Sequence, residues 1–282
     1  MKKPRAPTVL VVDDDRTTRH LASALLAKAG MKTAVAKDGA EALRLISARR
    51  FDLVLLDVWM PRMDGLELLA RLRRRGAPPK VLVMTSDDTP DTLLRAVREE
   101  AFQWVHKPLD PPTLLGAVRE ALSASRAVTP IEVISARPNW VELVVPCTRA
   151  AAERIQEIMA RIGADLPDEV LEPVGYAFRE LLLNAIEWGG KLDPKHKVRI
   201  AYVRTKRMLM YRIADPGPGF KLEDLDHAAI THPDSPIEHM RVREEKGLRP
   251  GGFGLLTVKA KVDELVYNEK QNEVIFFKYL DP

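Results

Sequence analysis

Four short apolar runs in the first half of this 282-residue chain each lead into residues that could do chemistry. Val9 to Val12 is followed by Asp13, Asp14 and Asp15, Leu53 to Leu56 by Asp57, Val81 to Met84 by Thr85, and Phe102 to Val105 by His106 and Lys107. The carboxyl ends of strands in a parallel sheet line its ligand crevice, so these groups would converge. Asp13, Asp14 and Asp57 would then repel one another unless a cation joined them. A hard divalent ion with oxygen ligands and retained waters, Mg²⁺ above all, suits such a cluster. A hydroxyl (Thr85) and an ammonium (Lys107) facing a metal-bound carboxylate make a place for a phosphoryl group. Asp57 is then the nucleophile, while Mg²⁺ and Lys107 neutralise the transferring oxygens. Each residue alone has a plainer role: an Asp after a strand is often a helix N-cap, as Asp15 could be, and Lys-Pro is usually a turn. Strand alternation points His106 away from Lys107.

The second half carries a different set. In Arg179-Glu180-Leu-Leu-Leu-Asn184-Ala-Ile-Glu187-Trp-Gly-Gly190, Glu180 and Asn184 stand at i and i+4 on one helix face, where a carboxylate and an amide oxygen can share one Mg²⁺ and its waters. Asp215-Pro-Gly217-Pro-Gly219 follows a strand, and an acid beside two glycines can bond a purine amine while backbone approaches closely. Gly251, Gly252 and Gly254 run into a helix whose N-terminal N–H groups suit phosphates. Taken singly these signals are weak, since a Gly cluster before a helix is a common turn.

The elements that must position these groups follow from hydrophobic period. Strands at 9–12, 34–36, 53–56, 81–84 and 102–105 alternate with helices at 16–29, 39–49, 65–74, 90–99 and 111–124, which predicts an α/β doubly wound five-stranded parallel sheet over residues 1–124. Residues 125–138 break the period and read as a linker, with a short strand at Ile131 to Ile134. From 139 to 282 the order changes to strand 141–145, helices 149–162 and 168–188, strands 198–203 and 209–214, a loop-rich 216–250, a helix near 254–263 and a strand 274–279. That order predicts an α+β two-layer sandwich.

Length and composition agree with two soluble domains, at about 150 residues each. The chain is 46% hydrophobic and 30% charged, with one cysteine, Cys147, so no disulfide framework forms, and Cys147 reads as buried filler. No apolar run approaches the ~20 residues of a membrane span. The expected compartment is the cytoplasm, with no membrane attachment. The net charge of +4 divides into +5 before residue 125 and −1 after it, too even a balance to argue for nucleic acid. The densest basic cluster, Arg71, Arg73, Arg74 and Arg75, suits the C-terminal end of a helix.

Residues of about 7–124, with the loop Asp57-Val-Trp-Met-Pro61-Arg-Met-Asp64-Gly65, resemble the receiver domain of two-component response regulators. The resemblance implies that Asp57 accepts phosphate from a histidine kinase. It also implies that Asp13, Asp14, Asp57 and the Trp59 carbonyl hold Mg²⁺, and that Thr85 and Lys107 bind the phosphoryl group. Trp104 stands where receivers usually carry a Tyr or Phe whose rotamer reports phosphorylation. Residues of about 139–282 resemble the ATPase domain shared by histidine kinases, gyrase and Hsp90, most closely its anti-sigma-factor serine kinase branch. By that resemblance Asn184 binds Mg²⁺, Asp215 the adenine of ATP, Gly217 and Gly219 flank the nucleotide, and Gly251, Gly252 and Gly254 border the triphosphate. Glu180 is the general base toward a serine hydroxyl. Two features depart from the branch: Trp188 replaces a usual His, and Phe220 to Pro250, with His227, His232 and His239, makes a long lid whose histidines read as polar residues and not as a metal site. Residues 125–170 hold no histidine for a sensor kinase, and no helix-turn-helix lies outside the two domains, so direct DNA binding is not expected. The implied partner is a small regulatory protein such as an anti-sigma-factor antagonist, or a sigma factor. The competing expectation is an ATP-binding docking module that transfers nothing.

Overall fold

The computed structural model describes residues 5–74, 79–87, 89–123, 131–137, 139–220 and 254–280, in two compact units that divide at Val128. In the first unit β1 (Thr8–Val12), β2 (Lys32–Ala36), β3 (Leu53–Asp57), β4 (Lys80–Thr85) and β5 (Gln103–His106) form one sheet in the order β2-β1-β3-β4-β5. Every pairing is parallel, with Val12 opposite Leu56 and Asp57 opposite Met84. The helices are α1 (Arg16–Lys28), α2 (Gly39–Ala48), α3 (Gly65–Arg73), α4 (Pro90–Arg98) and α5 (Pro111–Ser123). All five strands and all five helices lie within two residues of their predicted positions.

The chemistry of this unit explains its boundaries. Asp15, Asp38 and Asp64 each cap a helix by accepting the N–H of the residue three positions on, which satisfies one orphan donor apiece. β3 is buried at all five positions because helices cover both faces of a parallel sheet. Val9, Val11, Leu53, Leu55, Leu82 and Met84 form the centre of one core, closed by Ala22 and Leu26 of α1 and by Leu114 and Val118 of α5. Burying each large aliphatic side chain contributes about 1.5 to 3 kcal/mol, so the strand ends are held rigidly while the loops beyond them are free to carry polar groups.

The second unit has a six-stranded antiparallel sheet. β6 (Glu132–Arg137), β7 (Trp140–Pro146), β8 (Lys197–Arg204), β9 (Met208–Ala214), β10 (Glu264–Tyr267) and β11 (Glu273–Tyr279) lie in the order β10-β11-β9-β8-β7-β6. Its helices are α6 (Arg149–Ile162), α7 (Asp168–Asn184) and α8 (Gly254–Lys261). One sheet face, with Leu143, Ile200, Tyr211 and Phe276, packs beneath Ile155, Ile158, Phe178 and Leu182, and Tyr211 stacks on Phe276 at 4.8 Å. This is the predicted two-layer sandwich, with three differences. Residues 132–137, read as linker with a short strand at 131–134, are a longer strand that pairs with β7 through a bulge between Val133 and Ser135. Its weak alternation hid its full length. β10 was assigned to no element, because four residues are too few to show a period. Helix 168–188 changes from α to a π turn at Ala185–Gly189. Among the described residues no helix is long and apolar enough to cross a membrane.

Candidate functional sites

The sheet of the first unit brings the predicted acids together. Carboxylate oxygens of Asp13, Asp14 and Asp57 all lie within 4.8 Å of one another, with Asp13 and Asp57 buried and Asp14 exposed. Lys107 Nζ stands 2.8 Å from Asp13 Oδ2 and 2.8 Å from Asp57 Oδ1, so one ammonium bridges two of the three acids. The loops are fixed by extensions of the sheet ladder. Asp13 N–H donates to Ala36 O, Val58 N–H to Met84 O and Lys107 N–H to Thr85 O, at 3.2, 3.1 and 2.8 Å. Arg19 Nη1 donates to the Asp13 carbonyl at 2.6 Å. Gly65 opens α3 directly behind Asp57: a Cβ there would stand 2.0 Å from the Asp57 carbonyl oxygen, a spacing no side chain tolerates.

Burial raises the Asp57 carboxyl above the ordinary aspartate range; the Lys107 bond opposes that rise, and Asp13 and Asp14 add to it. Burial also pulls Lys107 down, yet its bonds to Asp13 and Asp57 outweigh this and leave it raised. A single positive charge thus incompletely compensates three converging acids. Such a donor set is all carboxylate oxygen and short of cation, which fits a hard divalent metal. Asp13, Asp14 and Asp57 are the side chains that would hold it.

Thr85 is fully buried at the end of β4, and its hydroxyl is engaged locally. It donates to the Asp87 carbonyl at 2.8 Å and accepts the Asp87 N–H at 2.9 Å. Trp59, on the loop after Asp57, leaves its side chain half exposed. Trp104 is buried on β5, opposite Val83. Asp87 was not singled out from sequence. It lies in a polar stretch, Ser86-Asp87-Asp88-Thr89, with no periodic signal.

In the second unit α7 carries Glu180 and Asn184 on one half-buried face, as the spacing predicts. Gly254, the first residue of α8, lies against Glu180: an added Cβ would be 2.6 Å from Oε2. The C-terminal end of the same helix meets Asp215. A Cβ on Gly189 would fall 2.2 Å from Asp215 Oδ1, and one on Gly217 would fall 2.7 Å from that oxygen and 2.9 Å from Gly189 Cα. Asp215, Gly189 and Gly217 are therefore in one cluster, next to the face that bears Asn184. Asp215 Oδ1 accepts the Gly217 N–H at 2.8 Å, and burial nonetheless raises its pKa, against that bond. Gly219 has φ +81°, and its Cβ would collide with the Lys270 carbonyl, so a glycine is required there by the backbone alone. Gly251 and Gly252 lie outside the described residues, as do His227, His232 and His239.

Two further residues support this cluster: Asn272, which was not singled out from sequence, and Cys147, which is the buried filler expected of it. Asn272 Nδ2 donates to the Gly217 carbonyl at 3.1 Å, and its own carbonyl accepts the Asp215 N–H at 2.9 Å. Cys147 is buried under the site, 2.1 Å from where a Gly190 Cβ would stand. Its thiol is pushed up to about 11 by burial, then by Asp215 and Asp193, so it is a protonated packing group and not a nucleophile.

Comparison with known proteins divides the chain at the same place. Residues 9–119 match the model of the response regulator receiver domain, and residues 146–278 that of the histidine kinase-like ATPase domain. The response regulator MtrA of Mycolicibacterium smegmatis, described as DNA-binding, is 32% identical over 182 residues, 64% of this chain and 78% of its own length. The transcriptional regulator NtrC of Azospirillum brasilense is 29% identical over 189 residues, 66% of this chain and 38% of that protein. The response regulator MprA of Mycolicibacterium vanbaalenii is 39% identical over 122 residues, 43% of this chain and 52% of its own. The chain thus spans about half or less of the length of two of these three relatives. Among solved structures, the chemotaxis response regulator CheY4 of Vibrio cholerae is 32% identical, covering 42% of this chain and 100% of that one with a TM-score of 0.40.

Proposed function

Since the chain belongs to the response regulators, and joins a receiver domain to a histidine kinase-like ATPase domain, we propose that phosphorylation of Asp57 controls an ATP-binding output. The output acts as a serine/threonine protein kinase, or as an anti-sigma-type regulator, on a small protein partner such as an anti-sigma-factor antagonist or a sigma factor. The protein acts in the cytoplasm and does not itself contact DNA. The observation that carries the receiver half is Lys107 bridging Asp13 and Asp57 beside Asp14. In the resting state the ammonium compensates the acids. When an Asp57 oxygen attacks a phosphohistidine phosphorus, the P–N bond breaks and the imidazole takes up a proton. Asp57 loses its carboxylate charge to an acyl phosphate, and Lys107 is placed to bond the new phosphoryl oxygens. Bound Mg²⁺ would supply the remaining charge neutralisation, on Asp13, Asp14, Asp57 and the Trp59 carbonyl.

In the output half, Asp215 accepts the adenine amine, Gly217 and Gly219 leave room for the nucleotide, and Asn184 holds Mg²⁺. Gly251, Gly252 and Gly254 border the phosphates. Glu180, beside Gly254, takes the proton of an incoming hydroxyl as that oxygen attacks the γ-phosphorus and ADP leaves. An alternative reading, in which ATP only shapes a docking surface, draws on Trp188, which is 66% exposed at the end of the π turn. One experiment separates the readings: incubate the purified full chain with γ-labelled ATP, with and without the candidate partner and with and without a phosphodonor for Asp57. Label moving to a partner serine or threonine supports the kinase. Tight ATP binding with no label on protein supports docking, and no ATP binding overturns both.

A further inference from the structure

We propose that Asp87 is a positioning residue that holds Thr85 in its resting state and so sets how strongly a phosphoryl group on Asp57 must pull to recruit it. This rests on the receiver reading above and adds to it a control that the acid cluster does not contain. A threonine hydroxyl has one proton. Here that proton is committed to the Asp87 carbonyl at 2.8 Å, while the oxygen accepts the Asp87 N–H at 2.9 Å. Thr85 can donate to a phosphoryl oxygen only after giving up the first bond, and a changed rotamer gives up both.

Those two bonds are made to backbone, so their persistence depends on what keeps residue 87 in place. Its side chain does so through two bonds. Asp87 Oδ1 accepts the Thr89 N–H at 2.9 Å, and Oδ2 accepts the Thr92 hydroxyl at 2.8 Å, which ties residue 87 to the first turn of α4. Burial works against the charge, yet the bonds from Thr89 and Thr92 prevail and keep the carboxyl below its ordinary range. The carboxylate therefore stays charged at neutral pH, and a charged acceptor is a stronger anchor than a neutral one would be. The consequence is a linked set: Asp87 on its loop, Thr85 beneath it and α4 beyond. Drawing Thr85 away disturbs the anchor of α4 as well as its own bonds, so phosphorylation is passed to the start of α4 through Asp87.

The test uses the full chain and beryllofluoride with Mg²⁺ as the phosphoryl mimic, with affinity read by calorimetry. Asp87→Ala keeps the backbone bonds to Thr85 but removes the side-chain bonds that hold residue 87 in place, so Thr85 is released at a cost lower by about one net hydrogen bond and mimic binding should tighten by roughly three- to tenfold. Asp87→Asn, which keeps an acceptor for Thr89, should fall between the two. Thr85→Val separates positioning from general structure: with no hydroxyl to release, adding Asp87→Ala to it should change the affinity by less than about twofold. Unchanged affinity in Asp87→Ala, or the same gain with and without the Thr85 hydroxyl, overturns the latch. Labelling of Asp57 by acetyl phosphate in the wild type is read separately. Its absence would defeat the phosphoacceptor assignment, whereas its presence with an unresponsive Asp87→Ala would defeat only the latch.

Discussion

Replacing the proposed phosphoacceptor should stabilise the receiver when no metal is present. In Asp57→Asn the shape is kept and one buried charge is lost. At a separation of about 4.8 Å and an effective dielectric of 20, each carboxylate pair repels by about 3.5 kcal/mol. The Asp14 contribution is smaller because that residue is exposed. Lys107 at 2.8 Å returns about 6 kcal/mol to Asp57 on the same scale. These terms nearly cancel, so the dehydration of Asp57 decides the sign, in agreement with burial being the leading cause of its raised pKa. The variant should gain about 1 to 3 kcal/mol in chelator at pH 7, which is about 4 to 12 °C in Tm for a domain of this size. The pH dependence fixes the cause. A carboxyl with a raised pKa binds its proton more tightly folded than unfolded, so wild-type stability relative to the variant rises as pH falls through the folded value. The gap should therefore begin to close as pH falls through the folded value, above the ordinary aspartate range, and be gone only once the ordinary value is reached. Adding Mg²⁺ should stabilise wild type and largely spare the variant, which has lost one of three carboxylates. Thermal unfolding of the full chain, followed at both pH values with and without Mg²⁺, measures all of this. A variant equal to or less stable than wild type in chelator at neutral pH would refute the argument, because it would mean that Lys107 over-compensates the cluster.

Gly65→Ala should cost about 3 kcal/mol or more and broaden or abolish the receiver's unfolding transition, since its Cβ would meet the Asp57 carbonyl, which is backbone and cannot step aside. Asn184→Ala should lose Mg²⁺-dependent ATP binding by calorimetry on the full chain while the melting of the second unit changes little. Gly217→Val should also lose it, through a Cβ pressed against Asp215 and Gly189; wild-type ATP affinity in both would remove the nucleotide site. Glu180→Gln should keep ATP affinity within about threefold and lose transfer to a partner hydroxyl by about 10²-fold or more, the loss expected for a general base. Equal transfer rates would assign that proton to another group.

The sequence was most informative where a period and a chemical residue coincided. A buried strand followed at once by an acid leaves little freedom, because the sheet sets the height of the strand end and the next residue must face the crevice; Asp13, Asp57 and Lys107 meet for this reason. The register of the parallel sheet itself was not needed. Signals failed where a residue acts through a loop. Asp87 and Asn272 hold Thr85 and the Asp215 turn by hydrogen bonds whose partners are distant in sequence or set by turn geometry, and neither Asx residue differs in type or spacing from those in ordinary turns. β6, read only in part, and β10, not read, were obscure for another reason. Both are strands at the edges of the sheet, one bulged and one only four residues long, and partners on one side alone impose too little alternation to read.

The acids of the second unit share one physical device. Asp215 is backed by Gly189 and Gly217 and Glu180 by Gly254, where a Cβ would fall 2.2, 2.7 and 2.6 Å from a carboxylate oxygen, whereas in the first unit a Cβ on Gly65 would meet only the main-chain carbonyl of Asp57. A carboxylate that must be part-buried and still reach a ligand cannot be shielded by side chains, since those would occupy the ligand's place. Backbone approaching from behind solves this at Asp215: it excludes water on one side, in keeping with the burial that raises the Asp215 carboxyl. The requirement falls on glycine because only it brings main chain that close. An acid paired with a glycine several residues or one element away is then a stronger sign of a working site than either alone. By the same reasoning, replacing the glycine damages the site from behind, through distance and dehydration, while the ligand-facing side of the acid is unchanged.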